Sequence, residues 1–243
     1  MRVDEALILE NCEIASETFR MKLKTEIAHE VECGQFVQVQ VPGYYLRRPI
    51  SVCDAYDDTI VLVYKIVGDG TKAMSRMKAD ETVNLFGPLG TGFPMEKRNV
   101  LLIGGGVGTP PLLLTAKKYI AEGMNVTAVL GYNDAAGVML EKEFAAAGAN
   151  VYVATMDGSY GTKGTVMDAI REHAVTDSFV LACGPLPMLR AVTESYTDGY
   201  ISLESRMACG MGACMGCVVR DNEGESMRVC KDGPVFRIGK VVI

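Results

Sequence analysis

No stretch of this 243-residue chain gathers lysine or arginine into a basic patch, and its net charge of −6 with a pI near 5.1 would repel a phosphate backbone. Nucleic acid is therefore not an expected partner. Long apolar runs are also missing: the longest apolar region, Val100 to Leu114, is broken by Gly104, Gly105, Gly106, Gly108, Pro110 and Pro111. It cannot supply the ~20 apolar residues of a membrane helix. The N-terminus offers only Ala6 to Leu9 as an apolar run, too short for a signal-peptide core. There is no internal repeat and no low-complexity segment. These absences lead to the expectation of a cytoplasmic protein. In that compartment thiols stay reduced, so the eight cysteines point to metal binding or catalysis more than to disulfides.

What is present is an ordinary globular composition, 49% apolar and 22% charged with 26 glycines. The length suits two compact domains and a small appendix. The first hundred residues read as short strands. Thr18 to Lys24 alternates apolar and polar residues, Val37, Val39 and Val41 alternate with glutamines, and Pro49 to Tyr56, Thr59 to Val67 and Thr82 to Phe86 add three more. One helix, about Thr71 to Met77, opens after Gly68-Asp69-Gly70. This pattern predicts an antiparallel β-barrel over residues 1–95. From Val100 the rhythm becomes α/β. Strand runs at Val100–Ile103, Val126–Leu130, Val151–Thr155 and Phe179–Ala182 alternate with helical stretches at Thr115–Glu122, Leu140–Ala147, Val166–His173 and Leu186–Ser195. A parallel-sheet domain over 96–203 follows, and 204–243 forms a third, Cys-, Gly- and Met-rich unit without helical period.

The sharpest signal lies in that last unit. Cys209, Cys214, Cys217 and Cys230 are spaced C-x4-C-x2-C-x12-C, the spacing of plant-type [2Fe-2S] sites. Gly210, Gly212, Ala213 and Gly216 let a loop wrap closely around inorganic sulfide with its N–H groups inward, where bulky residues would not fit. A structural zinc site usually takes its ligands as two closely spaced pairs, and a disulfide pattern needs an oxidising compartment. Both alternatives fit this spacing less well. Met207, Met211 and Met215 either shield such a cluster or present an apolar surface to a partner, and sequence leaves both open.

Two stretches have the character of nucleotide sites. Arg48-Pro49-Ile50-Ser51 can offer a cationic contact, and Val63-Tyr64-Lys65 leads into Gly70-Thr71 at a helix start, whose free N–H groups suit a pyrophosphate. On residues alone, a solvated loop residue and a plain turn explain these better than a ligand site does. Gly104, Gly106, Gly108, Thr109 and Pro110 sit between the first parallel strand and its helix, where a dinucleotide phosphate binds, although Thr109 replaces the third glycine of G-x-G-x-x-G. No Arg or Lys stands at Tyr132-Asn133-Asp134 to hold a 2′-phosphate, which favours NAD over NADP.

In this order the pieces resemble the ferredoxin-NADP reductase superfamily. Arg48 and Ser51 match the ends of its R-x-[YF]-[ST] flavin motif, with Ile50 in place of the usual aromatic. Cys183-Gly184-Pro185 with Met188 matches its C-G-P-x-x-M, and Gly87 to Gly90 its barrel-closing turn. Within that superfamily, Glu204 to Cys217 and Val229 to Phe236 are similar to the electron-transfer subunits of NAD-dependent (class 1B) dihydroorotate dehydrogenases, across nearly the whole chain. The resemblance implies FAD held by Arg48, Pro49, Ile50, Ser51, Val63, Tyr64, Lys65, Gly70 and Thr71. It also implies NAD at the Gly104–Pro110 loop, with Ser51 near flavin N5 and Cys183 beside the nicotinamide as catalytic residues. The metal ligands would be Cys209, Cys214, Cys217 and Cys230. Further implications are an FMN-bearing catalytic subunit that oxidises dihydroorotate in pyrimidine synthesis, a heterotetramer of two plus two, and an electron order from FMN through cluster and FAD to NAD. Small subunits of bifurcating transhydrogenases and sulfide dehydrogenases share this architecture and remain rivals. A zinc-stabilised binding module is a rival of another class.

Overall fold

The computed structural model describes residues 1–243. Six antiparallel strands, β1 (Arg2–Ala15), β2 (Thr18–Lys24), β3 (Phe36–Val39), β4 (Arg48–Tyr56), β5 (Thr59–Lys65) and β6 (Thr82–Leu89), close into a barrel in the order β1-β2-β5-β4-β3-β6. Closure leaves no strand edge unpaired. The interior is filled by Ile8, Met21, Leu23, Val37, Val39, Val52, Ile60, Leu62 and Leu85, all with 1% exposure or less. A 3-10 turn, Glu26–Glu30, begins at Thr25, whose Oγ1 accepts from Ile27 N and donates to Asp4 Oδ2. Helix α1 (Asp69–Met74) starts two residues before the expected Thr71 and ends three before Met77. The Thr71 hydroxyl explains the early start, because it accepts from Val67 N at 2.9 Å and Gly68 N at 3.3 Å. The apolar run expected to reach Val67 stops at Lys65, and Val67 lies in the loop, largely exposed.

The second layer is a seven-stranded sheet. Its strands are β7 (Val100–Gly105), β8 (Val126–Tyr132), β9 (Asn150–Thr155), β10 (Thr162–Lys163), β11 (Val180–Cys183), β12 (Gly199–Ser202) and β15 (Val235–Arg237), in the order β10-β9-β8-β7-β11-β12-β15. The hairpin β13 (Val218–Arg220) with β14 (Ser226–Arg228) forms a separate ribbon. Every neighbour in the large sheet is parallel except β15, which runs antiparallel to β12. Helices α2 (Pro111–Ala121), α3 (Glu141–Ala147), α4 (Val166–Glu172) and α5 (Leu186–Ser195) cover its faces, as crossover connections require. α2 begins at Pro111 where Thr115 was expected: proline fits the first turn, which has no use for its missing N–H. No helix is long and apolar enough to cross a membrane.

Barrel and sheet are locked together. The Tyr119 hydroxyl on α2 donates to Pro94 O at 2.9 Å and accepts from Glu96 N at 3.1 Å, pinning the 92–99 connection. Lys117 on α2 pairs with Asp54 of β4. The C-terminal segment seals the opposite seam: Thr91 N donates to Gly233 O at 2.7 Å, and β15 extends the sheet. Residues after 204 therefore include both the thiol loop and a strand of the central sheet.

Candidate functional site

The thiol loop seats its cysteines in two pairs. Cys214 N donates to Cys209 Sγ at 3.3 Å, and Cys230 N donates to Cys217 Sγ at 3.4 Å. Gly212 N adds a bond of 3.2 Å to Cys230 Sγ. Cys217 and Cys230 are buried, while Cys209 and Cys214 are half-buried. Burial raises the cost of a Cys209 thiolate, but N–H groups from Cys214, Met211 and Ala213 outweigh it and hold that thiol below its ordinary value. Burial and the neighbouring Cys217 push the Cys230 thiol up. No three His, Cys, Asp or Glu side chains are grouped as the ligands of a single ion. Two thiol pairs, each served by backbone N–H groups, suit a dinuclear cluster with one pair per iron.

The glycines expected to let this loop wrap do so. Gly210 and Gly212 have φ of +69° and +83°, where other residues are strained. A Cβ on Gly210 would overlap the side-chain amide of Gln38, and one on Gly212 would meet the Lys231 side chain. Arg228 Nη1 fixes the turn by donating to Gly212 O at 2.7 Å. Met211 and Met215 are 47% and 62% exposed, whereas Met207 packs partly buried beside Cys209. Met211 and Met215 are thus the exposed methionines of this segment, and Met207 is not.

On the barrel, Arg48 and Gly70 come together although 22 residues separate them: a Cβ on Gly70 would collide with the Arg48 guanidinium. That guanidinium stacks over the Tyr44 ring, 4.7 Å from its centre, and also reaches Leu46 O. The structure thus sets an arginine fork beside the first turn of α1. Pro49 and Ser51 lie opposite Gln38 and Phe36 in the β3–β4 register, and Ile50 opposite Val37 packs against the barrel core. The Ser51 hydroxyl makes no hydrogen bond within the chain. Val63 and Tyr64 are only 4% and 3% exposed, and the Tyr64 hydroxyl donates to Asn11 Oδ1 at 3.0 Å. Burial pushes the Tyr64 phenol up to about 12. Both side chains belong to the core, whereas Lys65 beside them is exposed. Asn11 escaped the sequence reading. Its Nδ2 donates to Met74 O and Met77 O, both at 2.9 Å, and so ties α1 to the barrel wall.

At the C-terminal edge of the sheet, Gly104 on β7 lies beside Cys183 on β11. Gly106 has φ of +52° with nothing within 4 Å of its missing side chain, while Gly108 presses on the Cys183 carbonyl. Pro185 and Met188 fill the space over Gly105. Thr109 is fully buried, with a hydroxyl that lacks a hydrogen-bond partner. Pro110 caps α2. The Cys183 thiol is pushed up to about 12 by burial, with the Glu204 carboxylate adding to the effect. It stays protonated at neutral pH.

Barrel, crossover sheet at its switch point and thiol loop together define a ferredoxin-reductase-type oxidoreductase with an appended iron–sulfur segment. Residues 204–242 match the family described as the iron-sulfur cluster binding domain of dihydroorotate dehydrogenase B, and residues 102–194 match the oxidoreductase NAD-binding domain. The chain is 41% identical, over the full length of both, to the dihydroorotate dehydrogenase B (NAD(+)) electron transfer subunit of Geobacillus sp. (strain WCH70). It is 39% identical, again over both full lengths, to the subunit of the same name from Fusobacterium nucleatum. The chain belongs to this family of electron-transfer subunits. Among solved structures, one of an NADH-dependent reduced ferredoxin-NADP oxidoreductase is similar at a TM-score of 0.89 and 31% identity, covering 98% of this chain and 89% of that one. A Neisseria gonorrhoeae ferredoxin NADP+ reductase with bound FAD and NADP shares the fold at a TM-score of 0.66 and 18% identity, covering 80% of this chain and 90% of the other.

Proposed function

We propose that this chain accepts electrons released when a flavoprotein partner oxidises dihydroorotate and passes them to NAD+, in the route that makes UMP. The observation carrying this reading is the position of the paired thiols: Gly210, next to Cys209, touches Gln38, which sits opposite Pro49 of the flavin-type motif. Identity at full length to subunits named for that enzyme supplies the substrate. When bound, the [2Fe-2S] cluster carries single electrons and FAD exchanges both single electrons and hydride, which joins one-electron to two-electron chemistry.

The residues divide the work. Cys209, Cys214, Cys217 and Cys230 would hold the irons, and the N–H groups of Gly212, Cys214 and Cys230 would stabilise the thiolates. Arg48, with backbone N–H groups of Gly70 and Thr71, would hold the FAD diphosphate. Pro49, Ile50, Ser51 and the main chain of Val63, Tyr64 and Lys65 would border the flavin ring, and the Ser51 hydroxyl would be available to hydrogen-bond it. Gly104, Gly106, Gly108, Thr109 and Pro110 receive NAD. Cys183, kept neutral by burial, would border the nicotinamide side of the site without adding a charge there. Asp134 at the end of β8 is engaged with Gly137 N at 3.0 Å, and no cation stands there for a 2′-phosphate.

The partner is an FMN-bearing catalytic subunit, assembled two plus two, in the cytoplasm; no two of the eight cysteines are joined in a disulfide. Met211, Met215 and Val218, exposed around the cluster loop, form its docking surface. Residues 1–95, 96–203 and 204–243 act as flavin, nucleotide and cluster units. Similarity to the ferredoxin-NADP oxidoreductase supports a second reading, in which the partner is that of a bifurcating complex. Mixing the purified chain with a dihydroorotate-oxidising flavoprotein under nitrogen decides between them. Dihydroorotate-dependent reduction of NAD+ is expected, and its absence with a flavin- and iron-replete chain would refute the assignment.

A further inference from the structure

Gln38 occupies a place that neither the binding motifs nor the fold accounts for. Its side chain is fully buried, and neither its Nε2 nor its Oε1 has a hydrogen-bond partner. Burying an amide without partners is costly, and an apolar residue of the same size would avoid the cost. Strand alternation fixes where the amide faces. Val37 and Val39 point into the barrel core, whereas Phe36, two residues from Gln38, shares a core with Cys217, Cys230 and Phe236 of the cluster segment. Gln38 thus faces the thiol loop. The contact is direct: Gly210, left-handed at φ +69°, has no room for a Cβ because the Gln38 amide nitrogen fills that space. On the opposite strand Pro49 pairs with Gln38, so the residue that touches the loop beside Cys209 also lies in register with the strand carrying the flavin motif.

We propose that Gln38 is a positioning residue for one-electron transfer, its side-chain amide donating a hydrogen bond to a cluster sulfur on the Cys209 side. The inference rests on the iron–sulfur reading above. Hydrogen bonds to cluster sulfurs stabilise the reduced, more negative form, so the amide raises the cluster's potential relative to a chain without it. It also holds the loop at a fixed distance from β4, and hence from the flavin.

The chain has only three glutamines, which makes the test specific. Gln35 Nε2 is committed to Gly90 O at 2.9 Å, and Gln40 accepts from Arg47 at 3.1 Å. In the FAD- and iron-loaded protein carrying 15N-labelled glutamine, pulsed EPR of the NADH-reduced cluster should detect a nitrogen coupling that Gln38→Leu abolishes. Redox titration of Gln38→Leu should give a reduced-to-oxidised cluster ratio about tenfold lower at a fixed potential, which is about 59 mV for one electron. Gln38→Glu, of the same shape but lacking the amide N–H, should lower it likewise. Iron and flavin contents equal to the unsubstituted chain with unchanged potential and spectrum would overturn the proposal. So would absence of the coupling in the unsubstituted protein, which decides the matter even if the variants fail to fold. Unsubstituted protein without iron would instead overturn the cluster reading beneath it.

Discussion

Gly108 shows how little room the nucleotide loop has. A Cβ at this residue would overlap the Cys183 carbonyl and the Gly184 nitrogen, both main-chain atoms that cannot swing aside. Gly108→Val should therefore push the loop away from β11 and raise the KM for NADH about tenfold, a loss of about 1.4 kcal/mol of binding. FAD and iron contents should stay unchanged. Steady-state NADH oxidation with an artificial acceptor measures this, and an unaltered KM would remove the loop from the nucleotide site. At the same scale the four cysteines proposed as cluster ligands stand out in the sequence, since their spacing is itself the chemical requirement. The sequence did not disclose Gln38 or Asn11. A glutamine alternating with valines in a strand reads as solvent-facing, and only the docking of a segment some 170 residues later buries it.

Among elements, α1 depends most on a single side chain. It has barely more than one turn, too short to be stable by itself. Asn11 of β1 holds it by donating to Met74 O and Met77 O while accepting from Tyr64. Asn11→Ala strands two carbonyls and a buried phenol, so we expect a loss of about 2 kcal/mol in urea unfolding, together with weaker FAD retention on gel filtration. Retained stability would show that α1 stands without this tether. The β1 strand itself was hidden from pattern reading. Only Ala6 and Ile8 of its 14 residues are buried, because β1 pairs on both sides while showing much of its outer face to solvent. The strands β10, β12 and β15 were hidden by shortness, and β15 belongs to the sheet only through a tertiary contact. The long strands β7 and β8, with nearly every side chain buried, were legible because a continuous apolar run suits only a covered parallel sheet.

For the whole molecule, the order of barrel, sheet and thiol loop matters because each is pinned to the next. Asp54 and Lys117 join barrel to α2, Tyr119 holds the connection, and Gly233 bonds Thr91 at the barrel rim. Electron flow then has two separable halves. Cys214→Ser should lose the cluster and all dihydroorotate-driven NAD+ reduction with the partner, yet keep NADH reduction of bound FAD near its original rate in anaerobic stopped flow. Loss of both together would mean that the flavin is not the site where NADH reacts. Composition tests the central claim more directly than any variant. Chain purified without oxygen should contain iron and acid-labile sulfide in equal amounts, about two of each, with about one FAD, and absorb visibly as a reddish-brown solution. Colourless protein holding zinc, or flavin without iron, would contradict the account.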